Sequence, residues 1–275
     1  MQLRLGEERL DLSRPRIMGV LNRTPDSFSD GGAYTDFDTA LAHARAMLDE
    51  GADILDLGGE STRPGAAPVP ADEEIRRVIP LVERLAGGLG ARVSVDTSKP
   101  EVMRAAIKAG AVMINDVYAL RQPGAMETVA GSDVAVCLMH MQGEPRTMQQ
   151  DPRYQDVVRE VGAFLLERAE ACRVAGIARD RIVLDPGFGF GKTREHNLTL
   201  LRRLPELAAL GYPVLVGLSR KSMLGALLGG KPVEQRLHAS VAAATVAAMN
   251  GAHILRVHDV APTDDALKVA WVIRG

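Results

Sequence analysis

Acidic and amide side chains follow several short apolar segments of this chain. Asp96 ends the run VSVD, Asp185 ends the run RIVLD, and Asn115 follows the segment VMI. Burying a carboxylate is unfavourable unless it finds hydrogen-bond donors or a counter-charge, so these positions require partners. Carboxylates accept ring N–H and amino groups, while an amide both donates and accepts. These residues therefore predict a binding site for a planar heterocycle rich in N–H donors.

A second set of residues carries positive charge. Arg256 and His258 flank one residue of an apolar segment, and the period of two along a strand places both side chains on one face. Arg63 lies in GGESTRPG. Lys221 opens the helical pattern RKSMLGALL, where free backbone N–H groups favour an anion. This set predicts a phosphate-like ligand beside the heterocycle.

Two other interpretations stay open for these residues. Asp96 and Asp185 could instead hold a metal ion, although no nearby HxH or HxxxE pair supports this. Arg256 and His258 could form structural salt bridges, for which the neighbouring Asp259 is the obvious partner.

The loop DPGFGFGKT has the glycines of a nucleotide-binding loop but not their spacing. Pro186 stands where a Walker A loop needs its first glycine, and Lys192 stands where GxGxxG needs its last. The glycines instead predict close approach of the backbone to a flat ligand, with Phe188 or Phe190 as an aromatic wall.

Repeated βα units position these residues. Short apolar segments alternate with patterns of helical periodicity from end to end. The eight predicted strands are residues 16–21, 53–57, 92–95, 112–114, 134–139, 181–184, 214–217 and 253–257. The predicted helices are residues 38–50, 72–89, 101–108, 154–175, 196–209, 234–250 and 264–273.

Eight units in one chain of this length favour a closed (β/α)8 TIM barrel over an open doubly wound sheet. We expect a single domain over residues 1–275, with a small hairpin across the barrel bottom at residues 3–12. Function in such barrels lies at the C-terminal ends of the strands. The first polar residues there also include Asn22, Asp56, Thr62, His140 and Ser219.

Composition excludes several classes of protein. The 275 residues are 46% apolar and 25% charged with a net charge of −2, which is typical of a globular domain and not of a disordered chain. Charges of both signs are interspersed, so we expect no nucleic-acid partner and no membrane partner. The N-terminus has no apolar signal segment, and two distant cysteines, Cys137 and Cys172, predict reduced thiols. We expect a cytoplasmic protein.

Eight ordered motifs give the chain a resemblance to a known family. They are MGVLNRTPDSFSDGG, GADILDLGGESTRPGA, VSVDTSKPEV, INDV, LMHMQGEPRTMQ, DPGFGFGKT, LSRKS and RVHDV. Together they resemble the dihydropteroate synthases, from the first predicted strand to the last. The resemblance implies a (β/α)8 barrel, usually a homodimer, that condenses 7,8-dihydropterin-6-ylmethyl diphosphate with 4-aminobenzoate and releases diphosphate and 7,8-dihydropteroate.

The resemblance also implies roles for the residues that match these motifs. The pterin is expected to bind Asp96, Asn115, Asp185 and Lys221, with Met139 against its plane. The diphosphate is expected to bind Asn22, Thr62, Arg63, Arg256 and His258, with Asn22 also a ligand of Mg²⁺. The aminobenzoate pocket is expected to comprise Pro64, Phe190, Ser219 and Ser222. The residues implied in catalysis are Arg63, Lys221, Arg256 and His258.

One position departs from the family, and two alternative functions remain. Arg23 stands where the family usually has an aliphatic residue, so the charge and the closing behaviour of the first loop are expected to differ from those of relatives.

A pterin-dependent methyltransferase module shares the barrel and the pterin pocket but needs neither the anion-binding groups nor an aminobenzoate pocket. A catalytically inactive pterin-binding paralogue would be expected to lack one of these residues, and none is missing.

Overall fold

The computed structural model describes residues 1–22, 33–61, 67–144 and 147–274. Its strands are β1 (Gln2–Leu5), β2 (Glu8–Asp11), β3 (Arg16–Asn22), β4 (Ile54–Gly58), β5 (Val93–Asp96), β6 (Met113–Asp116), β7 (Ala135–Met139), β8 (Ile182–Asp185), β9 (Leu215–Val216) and β10 (Ile254–Val257). Its helices are α1 (Ala33–Asp49), α2 (Ala71–Leu89), α3 (Pro100–Lys108), α4 (Ala125–Ala130), α5 (Val157–Val174), α6 (Arg194–Arg202), α7 (Leu204–Ala208), α8 (Ser222–Leu227), α9 (Leu237–Met249) and α10 (Val260–Arg274).

Strands β3 to β10 form a parallel sheet that curls into a cylinder. Around it the described strands follow the order β8, β7, β6, β5, β4, β3, β10 and β9. A parallel bridge between Leu184 and Val214 joins β8 to β9, so the two edges of the sheet meet. The predicted (β/α)8 barrel is therefore confirmed.

The helices cover the outside of the cylinder with their apolar faces. In α2, Val78, Leu81, Val82 and Leu85 are buried, and Gly90 ends the helix in the left-handed conformation that glycine adopts at little cost. The predicted helix 196–209 is two helices, α6 and α7. Pro205 lies at the first positions of α7, where its fixed φ and missing N–H are tolerated.

The predicted hairpin is confirmed and closes one end of the barrel. Strands β1 and β2 pair antiparallel, with Leu3 opposite Leu10. The hairpin leucines pack on side chains that project inward near the beginnings of the barrel strands. This cluster, which we call the barrel floor, comprises Leu3, Leu5, Leu10, Leu12, Met18, Ile54, Met113, Ala135, Cys137, Val183, Leu215 and Ile254. Because the floor is apolar and buried, the polar side chains are left to the opposite end.

Two smaller expectations concern membranes and thiols. In the ranges given above, every helix is either too short or too polar to cross a bilayer. Cys137 and Cys172 are both buried free thiols, as predicted.

Candidate active site

The C-terminal ends of the barrel strands place the predicted ring-binding residues side by side. In the strand register Asp96 lies opposite Asn115, and Met139 lies opposite Asp185. Asn115 and Asp185 are buried. Along β5, β6, β7 and β8 the strand ends thus carry three acceptors with Met139 among them, and we call these acceptors the acceptor arc: Asp96, Asn115 and Asp185.

Arg256 links the acceptor arc to the opposite wall of the barrel. Its neighbours Leu255 and Val257 belong to the outer core, so alternation along β10 turns Arg256 inward. Its Nε donates to Asp56 Oδ2 at 2.6 Å, and its Nη2 donates to Asp96 Oδ2 at 2.9 Å. Asn115 Nδ2 donates to the same Asp56 oxygen at 3.1 Å. Candidate ring-binding and anion-binding residues therefore belong to one hydrogen-bonded network.

Two carboxyl groups of the acceptor arc, those of Asp96 and Asp185, have raised pKa values. Burial raises the pKa of Asp96 to about 7, against the opposing effect of the Arg256 charge. Burial also raises the pKa of Asp185. The charge of the Lys221 ammonium and a 2.7 Å hydrogen bond from Gly187 N oppose this increase. Near neutral pH Asp96 therefore exists in both forms, and it becomes a pure acceptor as the pH rises above about 7.

Lys221 lies on the other side of Asp185, beside an aromatic ring. Burial lowers the pKa of Lys221 to about 8, while the Asp185 carboxylate opposes this shift. Its Nζ donates to the Phe188 carbonyl and lies 4.9 Å from the centre of the Phe190 ring. The ammonium is therefore held by the Phe188 carbonyl beside an aromatic face.

Arg220, in the turn before Lys221, forms the ion pair with Asp259. Arg220 has a φ of 60°, which is uncommon for a residue with a side chain. Its Nη2 binds Asp259 Oδ1 at 2.5 Å, and its backbone N–H donates to Ser240 Oγ at 2.9 Å. The suggested pairing of Arg256 with Asp259 is therefore wrong, because the guanidinium of Arg220 takes this carboxylate and Arg256 turns into the barrel.

Ser219 and His258 meet at the end of β10. The backbone N–H of His258 donates to Ser219 Oγ at 3.2 Å, and its ring Nδ1 lies 3.0 Å from the same oxygen. The hydroxyl thus orients an imidazole that follows Arg256 by two residues on the same face.

The glycine loop after β8 closes tightly on the loop after β7. Gly187 has a φ of 67°, and a Cβ there would lie 1.9 Å from the His140 carbonyl oxygen, so only glycine fits. Lys192 Nζ donates at 2.9 Å to each of His140 Nδ1, Gly187 O and Phe190 O. Burial lowers the pKa of His140 to about 3, which leaves its ring neutral and able to accept.

Lys192 thus stabilises the glycine loop after β8 by hydrogen bonds to its backbone carbonyls. The sequence did not predict this role. Burial lowers its pKa to about 7. The available signal was a single lysine directly after the glycines of an otherwise apolar loop. Phe190, which this loop carries, packs with Met139, Met141 and Met148 into an apolar wall.

The remaining predicted residues are less connected. Asn22 ends β3, where its Oδ1 would lie 3.0 Å from a Cβ added at Gly58. Ser222 is exposed as the first residue of α8, and no described contact joins it to the acceptor arc. Thr62, Arg63 and Pro64 lie outside the described residues, as does Arg23. Within the described ranges, no cluster of three or more His, Cys, Asp or Glu residues could hold a metal ion.

Comparison with known proteins identifies similar chains. Residues 18–258 match a family described as pterin binding enzyme. The chain is 55% identical over 260 residues to dihydropteroate synthase of Escherichia coli strain K12, covering 94% of this chain and 92% of that protein. The structure superposes with a TM-score of 0.94 and 55% identity on Xanthomonas albilineans dihydropteroate synthase with 4-aminobenzoic acid, covering 100% of this chain and 98% of the other. The same species' enzyme in complex with 7,8-dihydropteroate gives a TM-score of 0.89 at 50% identity, with coverage of 100% and 98%.

Proposed function

The chain belongs to the dihydropteroate synthase family of pterin-binding enzymes, and from this we propose how its residues carry out the family's reaction. The enzyme is a transferase that condenses 7,8-dihydropterin-6-ylmethyl diphosphate with 4-aminobenzoate, giving 7,8-dihydropteroate and diphosphate. The observation that carries the residue assignment is the direct contact of Arg256 with Asp96, because it joins a ring acceptor to an anion donor.

The acceptor arc binds the pterin ring. Asp96, Asn115 and Asp185 offer carboxylate and amide oxygens to ring N–H and amino groups, and Lys221 offers a donor beside them. Met139 and Phe190 belong to the apolar wall that faces a flat ring. Burial of these groups excludes water, which strengthens each hydrogen bond.

The cationic groups bind the diphosphate and stabilise its departure. Arg256 has one guanidinium nitrogen, Nη1, that makes no contact with a described acceptor. His258 follows on the same face, and Arg63 completes the proposed set. As the bond between the pterin methylene carbon and the diphosphate oxygen lengthens, negative charge grows on the oxygen and positive charge spreads into the pterin ring. Fixed cations at one end and carboxylates at the other are complementary to this separation.

The attacking amine needs little help from the protein. The amino group of 4-aminobenzoate has its lone pair available at neutral pH, so no strong general base is required. Phe190, Ser219, Ser222 and Pro64 are the residues that we assign to its pocket. Their task is orientation, which makes the encounter effectively intramolecular.

Magnesium enters this proposal with the substrate. Mg²⁺ prefers six oxygen ligands and retains several waters, and Asn22 supplies one amide oxygen near the mouth of the barrel. That donor set fits an ion carried by the diphosphate and not one bound by the protein alone. When bound, the ion would neutralise charge on the leaving group.

We therefore expect the free protein to bind Mg²⁺ negligibly. Calorimetric titration with Mg²⁺ should give no binding heat at millimolar concentration without substrate, and binding should appear once the pterin diphosphate is present. Asn22→Ala should weaken this second titration only. Tight binding of Mg²⁺ to the substrate-free protein would contradict the proposal.

Two further parts of the proposal concern assembly and location. A homodimer is supported by apolar side chains exposed on the adjacent helices α9 and α10, namely Val246, Met249, Val269, Val272 and Ile273. Single exposed apolar residues are normal, but a cluster suggests an interface. A cytoplasmic location is supported by the two free buried thiols.

The dimer can be tested with a charge in the exposed cluster. Val246→Glu should shift the light-scattering mass from two chains to one, because a buried charge opposes association. Val174 on α5 is 81% exposed, and Val174→Glu is the matched control that should leave the mass unchanged. A wild-type mass of one chain at micromolar concentration would overturn the dimer.

The reaction itself is tested by the release of diphosphate from the pterin substrate. We expect release that depends on 4-aminobenzoate and is matched one to one by 7,8-dihydropteroate. Binding of the pterin without any release would instead favour an inactive pterin-binding protein.

A further inference from the structure

Asp56 lies in the centre of β4 and has no role in the reaction described so far. Its side chain is fully buried in a strand whose other residues are apolar or glycine. One of its oxygens, Oδ2, accepts from both Arg256 Nε and Asn115 Nδ2. The other, Oδ1, is buried and makes no hydrogen bond with any residue in the described ranges. Asp56 therefore contacts one proposed leaving-group residue and one proposed ring-binding residue.

Asp116 is a buried carboxylate whose hydrogen bonds differ from those of Asp56. Asp116, at the end of β6, is also fully buried. Its oxygens accept from Ser98 Oγ at 2.5 Å, Tyr118 N at 2.9 Å and Leu120 N at 2.8 Å, so both oxygens are satisfied. Leaving a buried acceptor unpaired, as at Asp56, is unfavourable and asks for an explanation.

The contact with Asp56 fixes the orientation of the Asn115 amide. A carboxylate oxygen that already accepts from a guanidinium can only accept, so Asn115 must turn its NH₂ group toward Asp56. Its carbonyl oxygen then faces away, and no described donor reaches it. Asn115 is thereby made an acceptor for the ligand, although an asparagine alone could present either group.

The same oxygen fixes the guanidinium of Arg256. With Nε held by Asp56 and Nη2 held by Asp96, the planar group cannot rotate, and Nη1 is the nitrogen left for a ligand. Asp56 therefore sets, through Arg256, where a bound anion lies relative to the pterin ring.

We propose that Asp56 is a positioning residue that directs the Asn115 carbonyl oxygen and the Arg256 guanidinium at the substrate, and so selects pterins with an N–H group facing Asn115. This inference rests on the proposed function, since it assumes that the acceptor arc binds a pterin.

The test removes the shared acceptor and then restores it. Asp56→Leu deprives the Asn115 NH₂ group and Arg256 Nε of their acceptor, and we expect it to weaken binding of 6-hydroxymethyl-7,8-dihydropterin by about tenfold or more. Asp56→Asn can place its amide oxygen where Oδ2 lies, so that this oxygen again accepts from both groups. This conservative variant should recover most of the lost affinity.

Calorimetry with this uncharged pterin alcohol isolates the ring from the diphosphate. Asp116→Asn is the matched control, a buried carboxylate change on the same strand as Asn115 that should lower the melting temperature without changing pterin affinity. A folded Asp56→Leu variant that binds like wild type, or an Asp56→Asn variant that binds no better than Asp56→Leu, would overturn the role of Asp56. A wild-type protein that does not bind the pterin would overturn the proposed function as well.

Discussion

Replacing Arg256 by methionine should lower kcat for diphosphate release by about 10²–10³-fold, the usual loss when one preorganised donor to a developing oxyanion is removed. Methionine keeps the length of the side chain but provides neither the charge nor the free Nη1. Because the pterin diphosphate carries the leaving group, the loss should appear in single-turnover measurements, before product release. A folded Arg256→Met variant with wild-type kcat would remove Arg256 from the leaving-group role.

The same substitution should also lower the free energy of unfolding. Arg256 is the ion-pair partner of both Asp56 and Asp96, and removing one member of a buried pair costs about 3–5 kcal/mol. A role in anion binding alone would leave the pterin affinity unchanged when Arg256 is lost. The ion pair with Asp96 changes this expectation, since Asp96 would lose the charge that opposes its raised pKa.

A buried arginine far from the site separates these two effects. Arg181 precedes β8 and donates to Val134 O at 2.8 Å and Val129 O at 3.1 Å. Arg181→Met should therefore lower stability in chemical denaturation while leaving kcat unchanged. Equal losses of kcat in the two variants would show that the effect of Arg256 is structural.

Asp185→Asn should weaken pterin binding by about 1.5–3 kcal/mol, the range for a hydrogen bond to a charged group. This corresponds to about a 10- to 150-fold increase in Kd. The amide can still accept from Gly187 N through one oxygen, so the loop after β8 should keep its conformation. What the substitution removes is the negative charge of the Asp185 carboxylate, which acts on the ligand and on Lys221.

Two measurements test this prediction. Calorimetry with the pterin alcohol gives the change in Kd, and unchanged affinity would remove Asp185 from the pterin site. The pH dependence of binding gives a second readout: the Asp185 carboxylate raises the pKa of Lys221, so its removal should shift the Lys221 titration below about 8. Asp116→Asn again serves as the control, because it removes a buried carboxylate without contacting either residue.

The sequence predicted the architecture better than the contacts within the site. Alternation of apolar strands with helical patterns placed all eight barrel strands, because burial on both faces of a parallel sheet produces short apolar runs. Ends were less accurate: the predicted strand 214–217 is Leu215–Val216, and α4 was missed because six residues are too few to show a helical period.

The limits at the site have a physical origin. Sequence places Asp96, Asn115, Asp185 and Arg256 at strand ends, but which of them touch depends on the register of eight strands. Asp56 illustrates this, since the polar residue in ILDLG was noticed while its partners, 59 and 200 residues away along the chain, were not. The roles of Thr62, Arg63 and Pro64 remain predictions, because these residues lie outside the described ranges.

The hairpin that covers the lower end of the barrel has a consequence for the order in which substrates enter and product leaves. Its leucines pack over the lower end of the barrel, so a ligand approaches the buried acceptors from the opposite end. In the proposed assignment the pterin binds the buried acceptors, and the aminobenzoate lies nearer the surface, where Ser222 is exposed. This assignment implies that a molecule bound at the outer position blocks the path to the acceptors, so the product must leave before the next pterin enters.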